Sequence, residues 1–155
     1  RGLRDVYKRQ DHDDLLSDAE REALAELTAP PPRPQKVLIV DDDQDASELL
    51  AQYLDAEGIE CVALTDAREA LQAILLDRRI GLLITDLRMG PFDGLELIGK
   101  VRGSERAELP IIIISGDAEV QDAITAMHLS VVDFLLKPID VGKLMGLVRR
   151  ELGIS

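Results

Sequence analysis

From Lys36 onward the sequence alternates between near-continuous apolar runs and amphipathic stretches, and this alternation constrains the fold more than any other feature. The apolar runs are Val37–Val40, Cys61–Leu64, Leu82–Thr85, Ile111–Ile114 and Val131–Leu136. The amphipathic stretches are Ala46–Ala56, Ala67–Asp77, Gly94–Arg102, Ala118–Leu129 and Val141–Leu152. Runs such as Leu38-Ile39-Val40 and Ile111-Ile112-Ile113-Ile114 read as strands buried on both faces, as parallel strands are. Five strands alternating with five helices predict an α/β fold, a doubly wound parallel sheet with helices on both sides. In such sheets ligands bind beyond the carboxyl ends of the strands. The residues to inspect are therefore those that follow each apolar run.

Asp41-Asp42-Asp43 follow the first run, Asp86 the third and Ser115 the fourth, and Lys137-Pro138 close the fifth. Taken singly these are ordinary cap and turn residues. The predicted fold brings them all to one rim, and there they make a chemical set. Two carboxylates about 5 Å apart repel by roughly 3 kcal/mol at an effective dielectric near 20. A cluster of them needs a proton or a cation, and oxygen-only ligands suit Mg²⁺ held together with phosphate. A lysine ammonium and a serine hydroxyl facing the same point complete an oxyanion-binding set. Those are the parts phosphoryl transfer uses, and Asp86, alone on its strand, is the natural nucleophile.

The segments VLIVDDD, LLITDLRMGPFDG, IIIISG and VVDFLLKPID resemble the receiver domain of bacterial two-component response regulators. The separations also match: 45 residues from Asp41 to Asp86, 29 on to Ser115 and 22 on to Lys137. The resemblance implies a flavodoxin-like strand order 2-1-3-4-5 and a chain that accepts a phosphoryl group, with Mg²⁺, from a histidine kinase or a histidine phosphotransfer protein. It assigns Asp86 as the phosphoacceptor and Asp41 and Asp42 as the acidic pair at the metal, with the backbone carbonyl of Arg88 as a further ligand. Ser115 and Lys137 would contact the phosphoryl group, and Phe134 takes the aromatic switch position. The surface of residues 119–152 would carry a second copy or an output partner. The family's Lys-Pro bond is usually cis, so a cis Lys137-Pro138 is expected. Arg88 and Asp117 fall at positions bordering the attacking water, and they are expected to pair across the mouth and slow hydrolysis.

The sequence departs from the family in three places. Met89-Gly90 replaces the usual Met-Pro, with the proline displaced to Pro91, while Asp93-Gly94 keeps the turn. Ser130-Val131 replaces Gly-Ala, so the fourth helix lacks its glycine terminator. Phe134 lacks the hydroxyl of the commoner tyrosine. None of these removes a reacting group.

Other residues have plainer readings. Asp43 is expected to cap the following helix. Cys61 is expected to be a small buried hydrophobe. Met127 and Met145 are expected to pack, and His12 and His128 to be surface residues. Two other functions are open to the pattern. A haloacid-dehalogenase-like phosphatase would use Asp41 and Asp43 as D-x-D but leaves Asp86 unexplained. A docking module could keep the fold and signal without phosphate.

The front of the chain reads differently. The chain opens on Arg1, not Met, and reads as a fragment or processed product; RGLRDVYKRQ resembles translated adapter read-through and is set aside. Leu15, Leu16, Ala19, Ala23, Leu24 and Leu27 have helical spacing, with Ser17 and Glu20 as a capping box. Pro30-Pro31-Pro32-Arg33-Pro34 makes a stiff spacer, so residues 1–34 form an extension and 35–155 the domain. The net charge of −12 argues against nucleic acid and anionic membranes as partners. No apolar run nears the roughly 20 residues of a membrane span. A lone cysteine fits a reducing cytoplasm. No output segment follows Ser155, so a single-domain regulator and a cut fragment are both expected readings.

Overall fold

The computed structural model describes residues 18–20, 35–89 and 92–154. It divides into two units, Arg1–Pro32 and Arg33–Ser155. In the first unit residues 18–20 are helical. The rest of the expected 14–28 helix, Ser17 of its capping box, His12 and the proline spacer lie outside the described residues, as do Gly90 and Pro91.

The second unit runs β1 (Lys36–Val40), α1 (Gln44–Ala56), β2 (Cys61–Leu64), α2 (Ala67–Leu76), β3 (Ile80–Asp86), α3 (Gly94–Arg102), β4 (Ile111–Ser115), α4 (Val120–His128), β5 (Asp133–Leu136) and α5 (Val141–Leu152). The five strands form one parallel sheet in the order β2-β1-β3-β4-β5, as expected. Alternate strand residues feed two separate apolar layers. Leu38, Val40, Leu83, Ile111 and Ile113 pack with α2 and α3 on one face. Val37, Ile39, Leu82, Ile84, Ile112 and Ile114 pack with α1 and α5 on the other. This is why the runs are apolar at every position, and why almost no aromatic side chain is needed.

Every helix of this unit starts at an acidic N-cap: Asp43, Asp66, Asp93, Glu119 and Asp140. A carboxylate there satisfies free amide groups and sits at the positive end of the helix dipole. The Asp43 side chain accepts from the Ala46 amide at 3.2 Å, so α1 begins two residues before its apolar pattern does. α4 begins at Val120 and not at Ala118, because the Glu119 amide donates to Asp122 at 2.9 Å and fixes the first turn there. β5 begins at Asp133 and not at Val131. β3 extends from Ile80 to Asp86, longer than its apolar run at both ends.

Two arginines close helix ends that have no glycine. Ser130, after α4, has φ 58°, a left-handed conformation that glycine would adopt without penalty. Arg102, on the last turn of α3, donates to the carbonyls of Leu129 (2.7 Å) and Ser130 (3.2 Å), and also to Ala107 and Leu109. Arg106 does the same for α2, donating to Ile74 (2.7 Å), Asp77 (3.2 Å) and Ile80.

Cys61 is only half-buried, because β2 is a sheet edge; burial, with Asp55 and Glu60 nearby, pushes its thiol pKa up. Met145 packs as expected, but Met127 is 75 % exposed, because it faces out from α4. Among the described residues no helix is long and apolar enough to cross a membrane.

Because Arg106 satisfies three carbonyls in a half-buried setting, replacing it leaves acceptors without a donor. Arg106→Leu is expected to lower unfolding free energy by about 2–4 kcal/mol. Urea denaturation followed by circular dichroism measures it.

Candidate functional site

Sheet register explains why residues far apart in sequence meet. β1 pairs with β3 so that Val40 lies opposite Thr85, which sets Asp41 beside Asp86 one step beyond. β4 pairs with β5 so that Ser115 lies opposite Leu136, which brings Lys137 to the same rim. Asp41, Asp42 and Asp86 each offer a carboxylate oxygen, and the three lie within 4.8 Å of one another. Asp41 is 1 % exposed and Asp86 is buried, while Asp42 faces solvent.

Lys137 bridges the two buried carboxylates. Its Nζ lies 3.2 Å from Asp41 Oδ2 and 3.3 Å from Asp86 Oδ2. The other oxygen of each is also held: Asp41 Oδ1 accepts from the Asp43 amide at 2.9 Å, and Asp86 Oδ1 from the Leu87 amide at 2.6 Å. Burial, and after it the Asp41 charge, raise the pKa of Asp86; the Leu87 amide and Lys137 oppose this without cancelling it. Burial works against the Lys137 ammonium, yet its contacts with Asp41 and Asp86 raise its pKa on balance. Three carboxylates against one ammonium leave the rim with a surplus of negative charge and only oxygen donors. That donor set fits a hard divalent cation.

The expected cis bond between Lys137 and Pro138 is present. Ser115 Oγ is buried and engaged with its own loop, donating to the Asp117 carbonyl and accepting from the Asp117 amide, each at 3.2 Å. Phe134 is half-buried against the apolar layer that contains Val40 and Ile113.

Arg88 does not make the expected pair with Asp117. Its Nη2 donates to Asp122 Oδ2 at 2.7 Å, and Asp117 is exposed instead of paired with it. Asp122 wins because it is already oriented by the Glu119 amide on the first turn of α4. Sequence spacing could have suggested Asp122 as a cap partner three residues after Glu119, but nothing local pointed to Arg88, 34 residues earlier. Gly94 is the second residue whose part was understated. A Cβ there would lie 2.1 Å from the Asp86 carbonyl oxygen, and the Gly94 amide donates to Leu87 at 3.0 Å. The start of α3 therefore rests directly on the backbone of Asp86, which only glycine allows.

Comparison with known proteins agrees with this geometry. The family model of the response regulator receiver domain matches residues 37–149. The C4-dicarboxylate transport transcriptional regulatory protein DctD of Pseudomonas aeruginosa is 37 % identical over 119 residues, which are 77 % of this chain and 25 % of that protein. The transcriptional regulatory protein FixJ of Azorhizobium caulinodans is 37 % identical over 125 residues, 80 % of this chain and 58 % of that one. The chain thus spans only part of these two longer relatives. A response regulator receiver protein from Pseudomonas putida, known from its crystal structure, superimposes with a TM-score of 0.74 at 51 % identity, over 78 % of this chain and 99 % of that one. The chain belongs to the response regulator receiver domain family.

Proposed function

We propose that residues 35–155 are a phosphorylatable receiver in which Asp86 takes a phosphoryl group from the phosphohistidine of a kinase or phosphotransfer protein. The observation that carries this reading is the ammonium of Lys137 between Asp41 and Asp86 at the carboxyl end of the sheet. In the transfer a carboxylate oxygen of Asp86 bonds to phosphorus as the bond from phosphorus to the histidine nitrogen breaks. Lys137 keeps its hold on Asp41 and follows the new charge on the phosphoryl oxygens. Ser115 leaves its loop partners to donate to one of those oxygens. That movement gives room for Phe134 to turn inward and changes the surface formed by residues 119–152, where an output partner or a second copy docks.

Asp41, Asp42, Asp86 and the carbonyl of Arg88 are the residues to hold Mg²⁺. When bound, the ion supplies the positive charge that the carboxylates and the phosphoryl oxygens need. The domain works in the cytoplasm, and residues 1–34 are an extension ahead of it. Self-hydrolysis of the phosphoaspartate is the other reaction the site performs. A D-x-D phosphatase is disfavoured, because Asp43 is committed to capping α1 while Asp86 occupies the centre of the site.

Three outcomes are expected. With Mg²⁺ and acetyl phosphate, intact mass should rise by one phosphoryl group in the wild type and not in Asp86→Asn. A wild type that gains nothing identifies a docking module that signals without phosphate. Mg²⁺ should raise the thermal midpoint as a ligand of the folded state does. Asp42→Asn should remove most of that rise, since it deletes the exposed ligand and leaves the buried pair intact.

The third outcome concerns pH without metal. A carboxyl whose pKa is raised by folding holds its proton more tightly folded than unfolded. Its contribution is therefore present below the ordinary Asp value of about 3.9 and lost as pH rises through the folded value. In chelator at pH 7, Asp86→Asn should melt roughly 2–5 °C above the wild type. The gap should close as the pH falls below about 4. An unchanged gap across that range would mean that Asp86 carries no burden of ionisation.

A further inference from the structure

The guanidinium of Arg88 has a structural partner far from its own element. Leu87 and Met89 on either side of it are buried, whereas the Arg88 side chain is 46 % exposed, so it leaves the core on the open side of the loop. There it meets the Asp122 carboxylate, only 11 % exposed, on the first turn of α4. The same Asp122 oxygen accepts from the Glu119 amide. One carboxylate oxygen therefore both fixes the start of α4 and anchors a cation two residues from Asp86.

That cation has a stronger potential partner when Asp86 is phosphorylated. A phosphoryl group carries nearly two negative charges and three acceptor oxygens, and guanidinium binds phosphate in bidentate geometry. Asp122 offers one charge and has already given part of its acceptor capacity to Glu119. We infer that Asp122 is a positioning residue that competes with the phosphoaspartate for Arg88 and thereby sets how long the phosphoryl group lasts. This rests on Asp86 being the acceptor.

In hydrolysis a water oxygen bonds to phosphorus as the bond from phosphorus to the Asp86 oxygen breaks. The aspartate carboxylate and dihydrogen phosphate are the products, with both water protons on the phosphate. A guanidinium lying over the phosphoryl oxygens obstructs the approach of that water; held by Asp122, it leaves the approach open. Because the tie is to α4, a partner that shifts the first turn of α4 changes the lifetime, and phosphorylation in turn loosens that turn.

The test is to phosphorylate with acetyl phosphate, remove the donor and follow loss of the phosphoryl group by intact mass. Asp122→Asn keeps an oxygen for the Glu119 amide and removes the charge that holds Arg88. It should lengthen the lifetime by about fivefold, the scale of a half-exposed ion pair. Arg88→Ala should shorten it, and in that background Asp122→Asn should change nothing. Asp122→Asn within twofold of the wild type, or an equal effect with and without Arg88, overturns the inference. Should Asp122→Asn fail to fold, Arg88→Ala decides alone, and an unaltered lifetime overturns the inference. A wild type that takes up no phosphoryl group overturns the acceptor reading and this inference together; one that does, with an insensitive Asp122, overturns this inference only.

Discussion

The structure is organised around like charge that the fold forces together. Parallel pairing of β1 with β3 puts Asp41, the first residue past β1, beside Asp86, the last residue of β3. Neither can turn to solvent, since both side chains are almost wholly buried. The ammonium of Lys137 and the amides of Asp43 and Leu87 offset the repulsion in part. What remains is an imbalance that a cation or a proton can still relieve. The carboxyl end of the sheet thus holds buried charge that the fold satisfies only in part, a pattern common at functional sites.

Much of this could be read from the sequence because the determinants are short-range. Strand identity follows from apolar runs, and a strand apolar on both faces requires helices on both sides. The rim residues stand immediately after their runs, so knowing the runs placed Asp41, Asp86, Ser115 and Lys137 at one end of the sheet. What escaped was contact between elements. The partner of Arg88 depends on where α4 starts, which is settled by one bond between Glu119 and Asp122 and not by apolar periodicity. Likewise Met127 lies within a helical apolar pattern, yet it is exposed, because periodicity cannot say how wide a buried stripe will be.

The acidic surplus also resolves into parts with different physics. Five carboxylates begin helices, where the free amides and the dipole reward a negative charge. Three crowd the rim, where like charge is penalised and Lys137 offsets only part of it. Asp43 stands next to the rim yet belongs to the first class, because its side chain turns back to α1. Adjacent residues of one type thus do opposite electrostatic work, and only the backbone direction at each separates them.

Helix α4 brings these themes together. Its first turn is tied to the loop after β3 through Asp122 and Arg88, and the carbonyls of Leu129 and Ser130, just past its end, are tied to α3 through Arg102. α3 in turn rests on the Asp86 backbone at Gly94. Both ends of α4 therefore connect to the residues around Asp86, one through a partly exposed ion pair and the other through charge-assisted bonds to carbonyls. The two ties differ in kind. The carbonyls of Leu129 and Ser130 are neutral acceptors, whereas Asp122 holds its arginine by charge, and on the proposal above it competes for it with a phosphoryl group on Asp86. On that proposal a change of charge at Asp86 acts on the first turn of α4 before the last, and that turn is the end of the helix from which a signal starts.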